Sequence, residues 1–323
     1  MNKSKKIKVF FLMLMVNILL IPQTYINGQE KVSDAWQDVA EKVNQQEFQS
    51  FHMKGTVGVK ISSQNMTSDF GNLEIDTLVS NQPIALQMVA KIVSPFVGSE
   101  AVGFETYAKE GFNYTYNTET NEWTTSEWTV SEEEILESLQ ASFENVSNEL
   151  AKNEITPESQ DFINKYFTLE EKGQDYHFKL KKDIDGATFY NDLDKAIDLK
   201  QLVQESADKA IEQSEDFGQA IDQNYEKSLE ELLNPEKFKE FFNMNPQMSV
   251  TYDSLTGLIK NFSFMIDMNP KVFVDSVSEV DQSNLPELIS ISASFDFDQY
   301  GETFNIQVPL EAMQTSEENS TED

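Results

Sequence analysis

Apolar residues at every second position restrict a chain more than any other pattern, because only a strand with one buried and one wet face repeats with period two. Pro246 to Met268 carries that pattern twice. Met248, Val250 and Tyr252 alternate before a turn containing Gly257; Leu258, Phe262, Phe264, Ile266 and Met268 follow it, with Lys260 breaking the series. The stretch predicts a β-hairpin within a large curved antiparallel sheet.

The same period recurs elsewhere. Phe51, Met53, Val57, Val59 and Ile61 share one face against His52, Lys54, Thr56 and Lys60, and Gly55 and Gly58 predict a bulge or bend there. Strands are also predicted over 70–80, 84–93, 101–109, 111–117 and 122–129, punctuated by Asn81-Gln82-Pro83, Ser94-Pro95, Lys109-Glu110-Gly111 and Thr118-Glu119-Thr120-Asn121. Ile84, Leu86, Met88, Ala90 and Ile92 give the cleanest alternation. Tyr107, Phe112, Tyr114, Tyr116, Trp123 and Trp128 gather on the last of these hairpins, where cross-strand aromatic pairs stabilise a sheet. Strand character returns over 168–182, around a turn at Lys172-Gly173-Gln174-Asp175. Over 288–297, Ile289, Ile291, Ala293, Phe295 and Phe297 oppose a row of serines, and a last strand is predicted over 303–308.

Helical spacing separates these runs. Val32, Trp36, Val39 and Val43 form one stripe. Ser131 with Glu134 makes a capping box ahead of Ile135, Leu136, Leu139, Phe143, Val146 and Leu150. Pro157 opens a helix whose buried face is Phe162, Ile163, Tyr166 and Phe167. Asp183-Ile184-Asp185-Gly186 turns the chain into an acidic helical region over 187–233, and Asn234-Pro235 starts a short helix with Phe238, Phe241 and Phe242. Residues 314–323 are acidic, almost without apolar side chains, and predicted to be disordered. The fold class expected is α+β, in one domain over 29–313.

Composition narrows the setting. Met1 to Lys8 carries four lysines, and Val9 to Ile21 is apolar apart from Asn17, so residues 1–28 read as a secretory signal peptide. The apolar run is short for a membrane span, which needs about 20 residues; an uncleaved anchor is the other reading. The chain has no cysteine, which excludes disulfides, thiolate metal sites and lipid attachment through cysteine. All 24 basic residues are lysine, and the net charge is −32. That charge opposes binding to nucleic acid or to anionic membrane surfaces and fits a self-repelling extracytoplasmic protein, secreted or held in the cell envelope.

Catalytic chemistry is poorly supplied. The two histidines, His52 and His177, lie on polar strand faces, and no nucleophile motif accompanies them. Asp183-x-Asp185-Gly186 places its glycine too early for a calcium loop and reads as a turn. No phosphate-binding glycine loop occurs, so neither a metal nor a cofactor is expected, and no catalytic residue is assigned. The positive signal is soft apolar side chains on strands. Met53, Met88, Phe262, Phe264, Ile266, Met268, Phe295 and Phe297 are the candidate lining of an apolar cavity, or else a dry core between sheet and helices.

Three short motifs carry a resemblance. They are Tyr114-Thr-Tyr116 with Trp123, then Tyr252-Asp-Ser-Leu-Thr-Gly257-Leu, and the closing Phe297-Asp-Gln-Tyr300-Gly-Glu-Thr-Phe-Asn-Ile306-Gln-Val308-Pro309-Leu-Glu-Ala312. With the element order, they resemble the LolA/LppX-like carrier fold, and more closely a family of Gram-positive extracellular lipoproteins of that fold. The resemblance implies a half-barrel whose concave face is covered by helices and whose apolar cavity receives acyl chains. This chain departs from it in having neither a lipid-attachment cysteine nor a basic surface. The function expected is a non-enzymatic exported protein binding a lipid or other apolar ligand. The alternative is a cell-surface interaction module whose acidic region 187–233 meets an envelope protein.

Overall fold

The structure is a computed structural model that describes residues 31–43, 45–46, 49–63, 66–95, 102–118, 120–128, 131, 157–196, 235–268 and 286–319. In chain order the elements are α1 (Lys31–Val43), β1 (Phe51–Ser63), β2 (Met66–Asn81), β3 (Ile84–Val93), β4 (Val102–Lys109), β5 (Phe112–Asn117), β6 (Glu122–Glu127), α2 (Pro157–Tyr166), β7 (Phe167–Lys172), β8 (Asp175–Leu180), α3 (Gly186–Ala196), α4 (Pro235–Asn243), β9 (Gln247–Asp253), β10 (Ile259–Met268), β11 (Leu288–Asp298) and α5 (Leu310–Asn319). The strands form one open antiparallel sheet of 11 in the order β6-β5-β4-β3-β2-β1-β11-β10-β9-β8-β7, so the fold is α+β as expected. The signal segment 1–28, the capped helix after Ser131 and most of the acidic region beyond residue 196 lie outside the described residues.

The chain divides into two compact units. The first holds α1, α2, β7, β8, α3, α4 and the turn Ser254–Gly257. Its core is aromatic. Trp36 meets Phe178 edge-on at 4.7 Å, Phe162 and Tyr166 meet Phe189 at 5.0 and 4.7 Å, and Phe189 meets Phe242 at 4.5 Å. Such pairs stabilise beyond their buried area by about 0.5–1.5 kcal/mol. Phe178, Phe189 and Leu193 are fully buried. Buried polar groups find partners: Ser33 N donates to Asn164 Oδ1, Asn164 Nδ2 donates to Ser33 Oγ, and Ser159 Oγ donates to the Ala196 carbonyl. Asp185 caps α3, accepting from Thr188 N at 2.8 Å and Thr188 Oγ1 at 2.5 Å, which is the strand-to-helix turn predicted there. Phe167 is buried as expected but opens β7 instead of ending the preceding helix.

The turn Ser254–Gly257 rests on the C-terminal end of α1. Lys42 Nζ donates to the Ser254 carbonyl and pairs with Asp38, while Ser254 N donates to the Gln174 carbonyl at 2.7 Å. Gly257 has φ +75°, and a Cβ there would lie 2.7 Å from the Val39 carbonyl oxygen and 3.1 Å from Val43 N. Only glycine fits both demands.

The second unit holds β1–β6, β9 from Met248 onward, β10, β11 and α5. The predicted bulge is present but displaced: register shifts between Val59 and Lys60, not at Gly55 or Gly58. Gly55 instead leaves room for the Phe295 ring, which would stand 2.5 Å from a Cβ at that position. Residues 303–308 form no strand. Their alternation is real, because Phe304, Ile306 and Val308 pack with Tyr107, Tyr114, Phe112 and Trp123, but Lys109 Nζ donates to the Ile306 carbonyl in place of a neighbouring strand. Ala312 of α5 completes this cluster, and α5 continues through residues 314–319, part of the tail expected to be disordered.

Candidate functional site

Residues directly opposite in an antiparallel ladder point to the same side of the sheet. Register therefore decides whether the candidate residues share a face. Phe262 pairs with Phe295, and Met53 pairs with Phe297. Phe295 pairs with Gly55 on its other side, two residues along β1 from Met53. Met53 pairs with Thr77, and Thr77 pairs with Met88. Phe264, Ile266 and Met268 pair with Ala293, Ile291 and Ile289, the positions that follow Phe295 at every second residue. All the candidates, Met53, Met88, Phe262, Phe264, Ile266, Met268, Phe295 and Phe297, thus lie on one face of the second unit's sheet.

The face is continuous. Val57, Val59 and Ile61 extend it along β1, Leu73, Ile75 and Val79 along β2, and Leu86, Ala90 and Ile92 along β3. Phe262 and Ile266 are buried, while Met53, Met88, Phe264, Met268, Phe295 and Phe297 are half-buried. Phe262 stacks on Phe295 at 6.4 Å with 25° between planes, and Phe51 meets Phe297 at 6.3 Å. The face reaches the sheet's end with Ile92 and Phe104 exposed.

One polar side chain interrupts it. Thr77, 6 % exposed, stands in the row between Met53 and Met88, and its Oγ1 has no hydrogen-bond partner among the described residues. Sequence reading missed it, although the signal is visible: Leu73, Ile75, Thr77 and Val79 occupy one parity of β2, and threonine is the polar member.

The opposite face is different on the central strands. His52 was expected on a wet surface but is 8 % exposed, with Nδ1 2.8 Å from Asp298 Oδ1 and Nε2 3.0 Å from Asp76 Oδ1. Carboxylates occupy both ring nitrogens, so neither is left to take a proton from a nucleophile as a triad histidine must. The ring ties β2 and β11 to β1 between them. Beside it is an open depression of about 500 Å³ lined by Lys54, Thr56, Glu74, Asp76, Gln87 and Lys91, a solvated surface of mixed charge. Lys54 lies 3.9 Å from Asp76 with both side chains more than half exposed, a pair of little energetic weight. His177 pairs across the ladder with Glu170 in the first unit, far in sequence from His52. No group of three metal-ligating side chains occurs among the described residues.

The aromatic hairpins serve the second unit's core. Tyr107 and Tyr114 are buried, with half-buried Trp123 beside them, against the C-terminal segment and on the face opposite Met88. Burial, with a hydrogen bond to Glu105, raises the Tyr107 phenol well above its ordinary value. Trp128 Nε1 donates to Asn113 Oδ1 at 3.0 Å. No helix among the described residues is long and apolar enough to cross a membrane.

No protein-family model matches the chain, and no curated protein does. Among solved structures it is similar to the crystal structure of LprF from Mycobacterium bovis, with 12% sequence identity over 88% of this chain and 100% of that one, at a TM-score of 0.29.

Proposed function

We propose that this is an exported, non-enzymatic protein of the cell envelope or exterior that holds a lipid or other apolar ligand on the apolar face of its sheet. The observation that carries the reading is the register, which brings Met53, Met88, Phe262, Phe264, Ile266, Met268, Phe295 and Phe297 onto one side of neighbouring strands. An acyl chain needs an extended apolar track, and rows of Phe, Ile and Met supply one whose thioethers adapt to an irregular guest. Export is supported by the basic and apolar leader of residues 1–28. His52 is disfavoured as a catalytic base, since both its ring nitrogens are committed to carboxylates.

The test is extraction of the purified protein with organic solvent, followed by mass spectrometry and by uptake of a fluorescent fatty acid. Co-purified lipid and saturable uptake are expected. Phe264→Asp, on the apolar face, should abolish uptake, whereas Ser292→Asp, exposed on the other face, should leave it unchanged. No bound lipid and no uptake would end the proposal.

A further inference from the structure

We propose that Thr77 marks where the polar end of the ligand sits, and that the ligand class is an acyl chain bearing a carboxyl or ester oxygen, not a plain hydrocarbon. This rests on the apolar-face reading above. A hydroxyl buried without a partner is destabilising, because it has given up water and gained nothing in return. Thr77 is in that position: 6 % exposed, its Oγ1 unbonded among the described residues, and flanked in register by Met53 and Met88. The hydroxyl points to the same side as the candidate lining, since each of its ladder partners belongs to that lining. Valine would match its shape and strand preference without the cost. A guest that displaces the flexible flanking Met53 and Met88 side chains brings a hydrogen-bond acceptor to the group, and the surrounding thioethers and aliphatic side chains accept the chain behind it. The acceptor must be compact and unaccompanied by charge-pairing demands, because no basic side chain shares the row Phe297–Met53–Thr77–Met88–Thr106. An ester carbonyl meets that description, and so does a carboxyl that enters in its protonated form.

The experiment compares wild type with Thr77→Val, using a long-chain fatty acid, its methyl ester and an alkane of equal chain length as probes in competition with a fluorescent fatty acid. Wild type should bind the acid or the ester about tenfold more tightly than the alkane, the size of one buried hydrogen bond. Thr77→Val should erase that preference and raise the urea midpoint of the ligand-free protein. Preference for the acid over the ester assigns a free carboxyl; equal binding assigns the shared carbonyl. Alkane binding with no preference in wild type, or a preference that survives Thr77→Val, would overturn the inference while leaving the apolar site standing. Binding of none of the three would overturn both.

Discussion

Gly257 and Gly173 make a matched pair for measuring what holds the Ser254–Gly257 turn in place. Both belong to the first unit and both have left-handed backbone, with φ of +75° and +64°. They differ in surroundings. A Cβ at Gly173 would meet nothing within 4 Å, whereas one at Gly257 would come 2.7 Å from the Val39 carbonyl oxygen, 2.9 Å from Lys42 Cβ and 3.1 Å from Val43 N. Alanine at either site is charged about 1–2 kcal/mol for the left-handed conformation. Each also regains about 0.4–1 kcal/mol through a less flexible unfolded chain. These contributions cancel between the variants. What remains is displacement of the turn from the end of α1, an overpacking cost of about 1–3 kcal/mol. Gly257→Ala should therefore be less stable than Gly173→Ala by about that amount, with loss of the Lys42 to Ser254 bond accompanying it. Urea unfolding followed by far-UV circular dichroism measures both, with stability taken from midpoint and slope. Equal costs, within about 0.5 kcal/mol, would refute the reasoning, because additivity at well-separated sites holds to that precision.

Other consequences are open to the same assay. Phe178→Ala, which removes the ring under Trp36, should cost about 3–5 kcal/mol, and a cost below about 1 kcal/mol would mean that the first unit's core is not where the structure puts it. Gly55→Ala should lift the Phe295 ring from the sheet and away from Phe262, costing about 1–3 kcal/mol and altering the near-UV spectrum; an unchanged spectrum would count against the stacked arrangement. Lys165 beside Asp192 holds that carboxyl below its ordinary range. A folded-state value below the unfolded one gives stability that is present above the unfolded value and lost as pH falls through the folded one. The urea midpoint should decline as pH drops below about 4, and Asp192→Asn should flatten part of that decline; an equal decline in the variant would exclude the pair as a contributor.

Period-two patterning was legible wherever a strand has one buried face and neighbours on both sides. Ile84–Val93 is the strand its alternation predicts, and Gly173 turns where its composition says it should. The same pattern misled at 303–308, because Phe304, Ile306 and Val308 alternate to pack on aromatic side chains, not to join a ladder. Alternation reports burial of one face and is silent about where the backbone hydrogen bonds go. His52 was misjudged for a related reason: a polar parity position was taken as wet, although two carboxylates on adjacent strands close over the ring. The candidate lining was legible as a list, but its convergence on one face needed the register of strands far apart in sequence. Thr77 went unnoticed because a single threonine in a strand is ordinary until its hydroxyl is seen to lack a partner.

The pairing of β1 with β11 also sets an order of events during synthesis. His52 and Asp298 are held together across 246 residues, so one edge of β1 has no native partner until β11 has been made. At about 5–20 residues per second that interval lasts about 10–50 s. Meanwhile β2, β3 and β4 can form on the other edge, leaving a half-built sheet that offers an open strand to any neighbour. Lys54 and Lys60, both on the polar side of β1, are placed where charge discourages such pairing. Late closure makes the last strand the step on which the newly made protein's escape from aggregation depends.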